Sequence, residues 1–355
     1  MESSPGEVGG GAMRCAAIAV HAADQGLGRR NELDCTTTDM DNTLSLTVDE
    51  VRTECQGVIV LVMIDARGRT LPPWNAGAHI DVHLPNDLVR QYSLCGDPQD
   101  RSRYEIAVLR DPNSRGGSEF LHAQVKKGAT LTVSAPRNHF HFREAQEYLF
   151  VAGGIGITPL IPMIAAAQRS GVPFAVRYAG SRRSAMAFVD LVDALPNTMI
   201  HASDEGPRLR LEEVLTPDLS AGCLIYSCGP ARLLDALSSR CAEIGLTDQL
   251  HIERFAAAAL NVDTSKDQSF DVELARSNKV IEVGAEQTIL DALAAAGIKV
   301  TSSCAEGICG SCETAVLDGD VDHRDQILDD DEKAANEVMM ICCSRATSRR
   351  LVLDI

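Results

Sequence analysis

The chain has 355 residues, 45% of them hydrophobic, and a formal net charge of −17. This length exceeds one ordinary hydrophobic core, so we expect two or three packed domains. The strong negative charge argues against nucleic acid and anionic membrane surfaces as partners. No apolar run approaches the roughly 20 residues that span a membrane. Of the 12 cysteines, the eight outside the C-terminal motif described below show no paired spacing, which predicts a reducing, cytoplasmic location.

The first half of the chain begins with weak patterning and then becomes rich in strands. Residues 1–42 are predicted to be a disordered tail. From Thr43 to residue 144, short strands alternate with turn signals, which predicts an antiparallel β-barrel. The predicted strands are 43–54, 57–64, 77–84, 89–96, 104–110, 128–133 and 136–142, and a helix is predicted at 119–125.

Two features of the barrel region suit a flavin. Arg90 and Tyr92 fall on one face of a strand, where an arginine can bind a phosphate and an aromatic ring can cover a flat ligand. Gly116, Gly117 and Ser118 precede the predicted helix, whose free N–H groups could hold a phosphate. Each feature alone also fits an ordinary strand or an ordinary turn with an N-cap. Together they favour a site for flavin mononucleotide (FMN).

From Glu147 the pattern changes to alternating strands and helices, which predicts a parallel sheet. A buried strand at 148–152 leads into Gly154-x-Gly156-x-x-Pro159, a variant of the dinucleotide-binding loop at the start of a helix. Further strands are predicted at 174–179, 198–202 and 223–227, and helices at 160–168, 185–194 and 231–244.

A second loop of this region also lies where ligands bind. The turn Cys228-Gly229-Pro230 follows a strand, at the carboxyl end of the predicted sheet. Taken alone, Cys228 fits a buried structural thiol better than a functional one. The acidic residue that recognises the ribose of NADH is not evident after the second strand. Arg182 and Arg183 stand there instead, so NADH and NADPH both stay open from the residues alone.

The last quarter of the chain carries a cysteine pattern typical of an iron–sulfur cluster. Cys304, Cys309 and Cys312 have the spacing C-x4-C-x2-C of plant-type [2Fe–2S] ferredoxins, which use a distant fourth cysteine. Cys342 is preferred over its neighbour Cys343 because it keeps the plant-type interval. Zinc and disulfides are the alternatives, but zinc ligands usually come as two close pairs, and nothing else indicates secretion.

The elements around this motif complete the predicted fold. A linker at 257–268, strands at 270–274 and 279–283 and a helix at 289–296 precede the cysteine loop, in the order of a β-grasp ferredoxin. The acidic run 329–332 fits either a solvated helix start or a docking patch. We therefore predict a multidomain chain with an FMN-binding β-barrel at 43–144, an NAD-binding α/β parallel-sheet domain at 145–256 and an α+β [2Fe–2S] domain at 269–355.

These motifs resemble the phthalate dioxygenase reductase and vanillate demethylase reductase family, within the ferredoxin reductase superfamily, over residues 43–355. In that family, the matching residues bind the flavin and its phosphate; here they are Arg90, Tyr92, Ser93, Gly116, Gly117 and Ser118. The resemblance also places Thr158 and the turn Cys228-Gly229-Pro230 beside the nicotinamide and Phe255 over the flavin. It favours NADH as the donor.

The predicted function is electron transfer from NADH through FMN and the [2Fe–2S] cluster to a separate protein, with no catalytic side chain required. The resemblance implies that the acceptor is a Rieske-type non-haem iron oxygenase for an aromatic or other small compound. Two alternatives stay open: another acceptor such as a haem monooxygenase, and a non-enzymatic ferredoxin-type carrier or redox sensor. The histidines of the barrel, including His79 and His139, are interpreted as structural.

Overall fold

The computed structural model of the protein describes residues 43–85, 88–112, 114, 116–217, 219–255 and 264–355. They belong to one compact unit, Asn42–Ile355, in which three regions each build a main sheet. The predicted tail (1–42) and the first part of the predicted linker (257–263) lie outside the described residues. Within the described ranges, no helix is both long enough and apolar enough to cross a membrane.

The first region is an antiparallel barrel. Its strands are β1 (Thr43–Cys55), β2 (Val58–Ile64), β3 (His79–Leu84), β4 (Leu88–Ser93), β5 (Arg103–Leu109) and β6 (Thr130–Ser134), in the order β4-β3-β6-β1-β2-β5. Leu46 and Val48 are buried in β1 while their neighbours are more exposed, the period-two pattern of a sheet with one buried face. A bridge between Leu94 and Ile106 joins the two ends of the sheet and closes it. Helix α1 (Gly117–Gln124) packs Leu121 against this core.

The segment after β6 is not a strand, so our prediction of a strand at 136–142 is wrong. Only Arg137 pairs there, exchanging two backbone hydrogen bonds with His79 at 2.8 and 3.0 Å. Pro136 has no N–H for a ladder. The side chain of Asn138 bonds to the backbone instead: it donates to the carbonyl of Ala76 and accepts from the N–H two residues on. Local side-chain bonds therefore replace the strand ladder.

The second region is a parallel sheet with helices on both faces. Its strands are β7 (Glu147–Gly153), β8 (Phe174–Gly180), β9 (Thr198–Ala202), β10 (Cys223–Cys228) and β11 (Leu250–Glu253), in the order β11-β10-β7-β8-β9. Its helices are α2 (Leu160–Ser170), α3 (Val189–Asp193), α4 (Leu211–Val214) and α5 (Ala231–Ile244). Alternate residues of β7 face opposite sides: Phe150 lies in one core with Met163 of α2, and Val151 in another with Leu234 of α5.

The helix predicted at 185–194 is shorter in the structure, where α3 begins only at Val189. Phe188 has a φ of 56°, in the left-handed region that a helix does not tolerate. Its N–H donates to Oε1 of Glu54 on β1 at 2.9 Å, and the carbonyl of Ala187 accepts from the hydroxyl of Tyr178 at 2.9 Å. Long-range bonds thus take the place of the helical bonds that the local pattern favoured.

The third region is a mixed sheet with a helix packed on it. Its strands are β12 (Phe270–Leu274), β13 (Lys279–Val283), β14 (Glu313–Asp318), β15 (Val321–Asp322), β16 (Val338–Met340), β17 (Arg345–Ala346) and β18 (Arg350–Leu353), and its helices are α6 (Ile289–Ala295) and α7 (Asp330–Ala335). The main sheet has the order β13-β12-β18-β14-β16, and β12 runs parallel to β18. Ile289 and Leu293 of α6 lie in its core. The predicted multidomain fold class is confirmed, whereas the predicted domain boundaries stay predictions.

Both helices of the third region begin with a capping box, in which two side chains satisfy the free N–H groups of the first turn. Thr288 and Asp291 form it in α6, and Asp329 and Glu332 form it in α7. The acidic run 329–332 is therefore a helix start, one of the two roles that the sequence left open for it.

Candidate cofactor-binding and electron-transfer site

One cavity brings together residues from all three regions. The residues of its wall that we predicted to bind a flavin, a nucleotide or a cluster are Arg90, Tyr92, Ser93, Thr158, Phe255 and Cys304. They come from strand β4, from the loop before α2, from the end of the second region and from the cysteine loop. The cavity is thus a place where ligands of three kinds could lie close to one another.

Arg90 packs against the start of α1. A β-carbon on Gly117 would lie 2.6 Å from Cγ and 2.9 Å from Nε of Arg90, so only glycine leaves room for this side chain. Gly116 has a φ of 94°, which also favours glycine. The hydroxyl of Ser118 accepts a hydrogen bond from the N–H of Asp111 at 3.2 Å. The turn 116–118 does not itself line the cavity. It packs against Arg90, which does.

Two aromatic side chains differ in how they border the cavity. Tyr92 is largely enclosed, and burial raises the pKa of its phenol to about 12, so the ring is neutral. Phe255 is 44% exposed and stands at the rim. Either ring offers a flat apolar face to a planar ligand.

The two predicted nucleotide loops lie backbone against backbone. A β-carbon on Gly156 would collide with the carbonyl of Cys228, and one on Gly229 would lie 2.9 Å from the Cα of Gly153. Glycine at these positions therefore permits the close approach. Gly154 has a φ of 55° and nothing within 4 Å of the place of a β-carbon, so this side of the loop is open to a ligand.

An acid that we did not single out from the sequence, Glu253 at the end of β11, also lines the cavity. Burial raises the pKa of its carboxyl group to about 8, against the opposite effect of the neighbouring hydroxyl of Ser93 and thiol of Cys228. Within the described part of the chain, its Oε2 atom is buried without a hydrogen-bond partner, and so is Nε2 of His79, another residue of the wall. Orphaned polar atoms at a cavity fit a polar ligand that would satisfy them.

The only sequence signal for Glu253 is its place two residues before Phe255, the aromatic that we did single out. Its partners lie in two other elements, so the sequence alone does not assign it a role.

The four predicted cluster ligands converge. The thiols of Cys304 and Cys312 neighbour the sulfur of Cys342 and hold the pKa of Cys342 well below its usual range. Cys309 contacts the thiol of Cys304 and the hydroxyl of Ser311, and these bonds lower the pKa of Cys309 to about 6. Among the described residues, no three such side chains are arranged around a single metal position, so the four cysteines are neighbours in pairs. Four soft sulfur donors in one loop region suit an iron–sulfur cluster, which has two irons.

The adjacent cysteine, Cys343, lies to one side of this group. Its sulfur neighbours Cys342 but bonds to the carbonyl of Met340, at 3.7 Å, and faces Gly307. A β-carbon on Gly307, whose φ is 70°, would lie 2.5 Å from that sulfur. Of the two neighbours, Cys342 therefore has the closer association with the other predicted ligands.

The cysteine loop is seated on the barrel. The amide nitrogen of Gln91 lies 3.5 Å from the carbonyl of Cys309, next to the predicted flavin residues of β4. A β-carbon on Gly310 would collide with the ring of His139, whose ring also stacks on His79 at 5.8 Å. Only glycine allows this flush contact, which brings the predicted cluster site against the wall of the cavity.

Known proteins similar to this chain were found by sequence. Residues 272–347 match the family of 2Fe-2S iron-sulfur cluster binding domains. The phenoxybenzoate dioxygenase subunit beta of Ectopseudomonas oleovorans is 45% identical over 289 residues, which cover 80% of this chain and 89% of that protein. The vanillate O-demethylase oxidoreductase of a Pseudomonas species is 41% identical over 320 residues, 88% of this chain and 100% of that protein.

Solved structures similar to this chain also include an oxygenase reductase. Phthalate dioxygenase reductase, described as a modular structure for electron transfer from pyridine nucleotides to [2Fe-2S], has 36% identity and a TM-score of 0.64 over 90% of this chain and 100% of its own. An intact type IV self-sufficient cytochrome P450 monooxygenase has 45% identity and a TM-score of 0.83 over 88% of this chain, which spans 41% of that longer protein. The chain therefore belongs to the family of oxygenase reductase components that includes vanillate O-demethylase oxidoreductase, and it is an oxidoreductase with a flavin-reductase fold and a C-terminal 2Fe-2S domain.

Proposed function

We propose that this chain is the reductase component of a Rieske-type non-haem iron oxygenase system that acts on an aromatic or other small compound. Electrons pass from NADH through FMN and a [2Fe–2S] cluster to the separate oxygenase. The observation that carries the proposal is the cavity lined jointly by Arg90, Thr158 and Cys304. When bound, NADH, FMN and the [2Fe–2S] cluster together convert a two-electron transfer into successive one-electron transfers. A cytoplasmic location, predicted from cysteine usage, stays part of the proposal.

The barrel residues are assigned to FMN. Arg90 and the turn Gly116-Gly117-Ser118 would hold its single phosphate, because a guanidinium and the free N–H groups at the start of α1 both favour an anion. The contact of Arg90 with Gly117 supports this, since it places charge and N–H groups side by side. Tyr92 and Phe255 would border the flavin ring.

The two backbone-packed loops are assigned to NADH. Gly154 and Gly156 would allow the pyrophosphate to approach, and Thr158 and the turn Cys228-Gly229-Pro230 would border the nicotinamide. No covalent role falls to Cys228, whose pKa burial raises well above its usual range, so that its thiol stays protonated.

Ser93 and Glu253 are assigned to the proton that accompanies two-electron chemistry. The hydroxyl of Ser93 neighbours the carboxyl of Glu253, and with a pKa of about 8 this carboxyl holds its proton at neutral pH. A neutral acid enclosed at the wall of the cavity can donate a hydrogen bond or a proton to a bound ring.

NADH is preferred over NADPH because one of the two candidate arginines is already engaged. The guanidinium of Arg183 pairs with Asp193 at 2.5 Å, and its backbone N–H donates to Asp204. The 2′-phosphate that distinguishes NADPH from NADH would have to displace Asp193 from Arg183. Relative NADH and NADPH affinities measured by quenching of the bound flavin test this preference.

The cluster is assigned to Cys304, Cys309, Cys312 and Cys342. Their convergence and the backbone N–H of Glu306, which donates to the sulfur of Cys304 at 3.3 Å, support this assignment. Purified protein should contain one FMN and one [2Fe–2S] per chain, and extraction of FAD would contradict the phosphate site. Cys304→Ser should abolish cytochrome c reduction while NADH still bleaches the flavin absorption.

A second acceptor is favoured by one observation. The 45% identity to a region of a self-sufficient haem monooxygenase shows that similar chains occur joined to a haem protein. The deciding experiment supplies this reductase with NADH and either a purified Rieske oxygenase or a purified haem monooxygenase, and measures product formed per NADH. Coupled turnover with the Rieske oxygenase alone supports the proposal. Coupled turnover with the haem protein alone would instead identify a haem monooxygenase as the electron acceptor.

A further inference from the structure

A line of side-chain contacts runs from the wall of the cavity to a cluster cysteine. Its first member, Arg137, is fixed to the wall because its backbone exchanges two hydrogen bonds with His79. Its guanidinium reaches across to the cysteine loop, where Nη2 lies 3.3 Å from Oγ of Ser311. That hydroxyl oxygen in turn lies 2.9 Å from the sulfur of Cys309.

The guanidinium is held in this position by a buried acid. Nη2 of Arg137 lies 2.7 Å from Oδ2 of Asp81, a residue of β3 that is only 2% exposed. The backbone N–H of Asp81 donates to the hydroxyl of Ser134 at 2.9 Å, which fixes the acid as well. Charge-assisted bonds of this kind hold a side chain more firmly than neutral ones do.

The chemistry of the three groups fixes the direction of the hydroxyl hydrogen. A guanidinium N–H can only donate, so Oγ of Ser311 accepts from Arg137. A cysteine that binds a cluster is a thiolate and can only accept. The hydroxyl hydrogen of Ser311 therefore points to the sulfur of Cys309.

We propose that Arg137 is a positioning residue that orients the hydroxyl of Ser311 on the sulfur of Cys309 and so raises the reduction potential of the cluster. Hydrogen bonds to cluster sulfurs raise that potential because they stabilise the additional negative charge of the reduced state. The inference rests on the proposed assignment of Cys309 as a cluster ligand.

This arrangement makes the reduction potential of the cluster depend on the contact between the cysteine loop and the barrel. Arg137 belongs to the barrel region and Ser311 to the third region, so their bond exists only while the loop lies on the barrel. A seated cluster is the easier one to reduce from the cavity. A loop that leaves the barrel loses the orienting donor, and its cluster becomes a stronger reductant towards a separate acceptor.

The test is a redox titration of the complete holoprotein, monitored by the electron paramagnetic resonance (EPR) signal of the reduced cluster. Ser311→Ala should lower the equilibrium constant for reduction by roughly tenfold, a shift of ~59 mV for one electron. Ser311→Thr keeps the hydroxyl and should keep the potential. Arg137→Gln should lower the potential as Ser311→Ala does. If the Gln variant does not fold, Arg137→Lys, whose single ammonium group cannot contact Asp81 and Ser311 as the guanidinium does, is titrated in its place and should also lower the potential.

A double variant separates orientation from simple charge. If Arg137 acts through Ser311, Arg137→Gln has little further effect in a Ser311→Ala background. An equal shift in both backgrounds would mean that the arginine acts only by its charge, and this would overturn the proposal. Arg103→Gln, which removes a similar charge from an exposed ion pair of the barrel, should leave the potential unchanged.

Iron and acid-labile sulfide are measured in every variant. A potential that does not move in Ser311→Ala, with a full cluster, would overturn the proposed hydrogen bond while leaving the proposed function intact. A wild-type chain that assembles no [2Fe–2S] cluster would instead overturn the ligand assignment, and the inference with it.

Discussion

Glu253, in the last strand of the parallel sheet, interacts electrostatically with Ser93, in a strand of the barrel. A third partner, the thiol of Cys228, adds the turn that follows the neighbouring strand β10. One enclosed carboxyl group, with a pKa raised to about 8, thus connects three elements that border the cavity. Its titration should be visible in the stability of the fold.

We expect Glu253→Gln to change how stability depends on pH. Between the ordinary carboxyl pKa of 4.5 and about 8, native Glu253 keeps a proton that the unfolded chain releases. The native state then binds more protons, so the contribution of Glu253 to the free energy of unfolding falls as pH rises through this window and is constant above it.

Urea unfolding of the wild type and of Glu253→Gln across that window measures this effect. The free energy of unfolding of the wild type, relative to the variant, should decline from pH 4.5 to 8. Glu243→Gln, at an exposed acid of α5, is the matched control and should follow the wild type. Parallel curves for all three proteins would contradict the raised pKa.

Gly117→Ala should weaken FMN binding. The added β-carbon would lie 2.6 Å from Cγ of Arg90 and force that side chain out of its position. We expect the dissociation constant of FMN to rise on the order of tenfold, or ~1.4 kcal/mol, measured by fluorescence titration of the flavin-free protein. Gly206→Ala, where nothing lies within 4 Å, is the matched control. Equal affinities in both variants would exclude the assigned phosphate site.

Gly156→Ala should impair the nucleotide loops without affecting the flavin site. Its β-carbon would collide with the backbone of Cys228, which cannot rotate away as a side chain can. We expect a loss of roughly 1–3 kcal/mol in the free energy of unfolding, as for other overpacked sites, and weaker NADH binding in a flavin-quenching titration. FMN affinity that falls together with NADH affinity would show that the two sites are not separable as assigned.

Cys343→Ser should leave the EPR signal of the cluster intact, whereas Cys342→Ser should remove it. The sulfur of Cys342 contacts both Cys304 and Cys312, while Cys343 turns towards the carbonyl of Met340. Iron content and the EPR spectrum of the dithionite-reduced variants check this pair. The opposite pattern would assign the fourth ligand to Cys343.

Elements with a self-contained local pattern could be predicted from the sequence. The structure places α5 at Ala231–Ile244 and the hairpin strands at Phe270–Leu274 and Lys279–Val283, as their hydrophobic spacing indicated. The cysteine spacing likewise predicted a cluster domain, because the ligands of one loop are close in sequence. In such cases, neighbouring residues carry most of the information.

The rest depended on contacts that sequence spacing does not reveal. Phe188 leaves the helical conformation because its N–H bonds to Glu54 on a barrel strand. Asn138 prevents a strand through bonds that its side chain makes on both sides. Glu253 becomes a candidate functional residue only because folding brings it to Ser93 and encloses it. Convergence of three regions on one cavity is likewise a property of the packed chain.

Gly310 leaves no room for a β-carbon beside the ring of His139, so the cysteine loop and the barrel touch without a gap. Under the proposed function, electrons pass from the cavity to the cluster without any prior large movement of the third region. The internal transfer should keep its rate in solutions thickened with glycerol. Delivery to a separate protein requires diffusion, and it alone should slow in proportion to solvent viscosity.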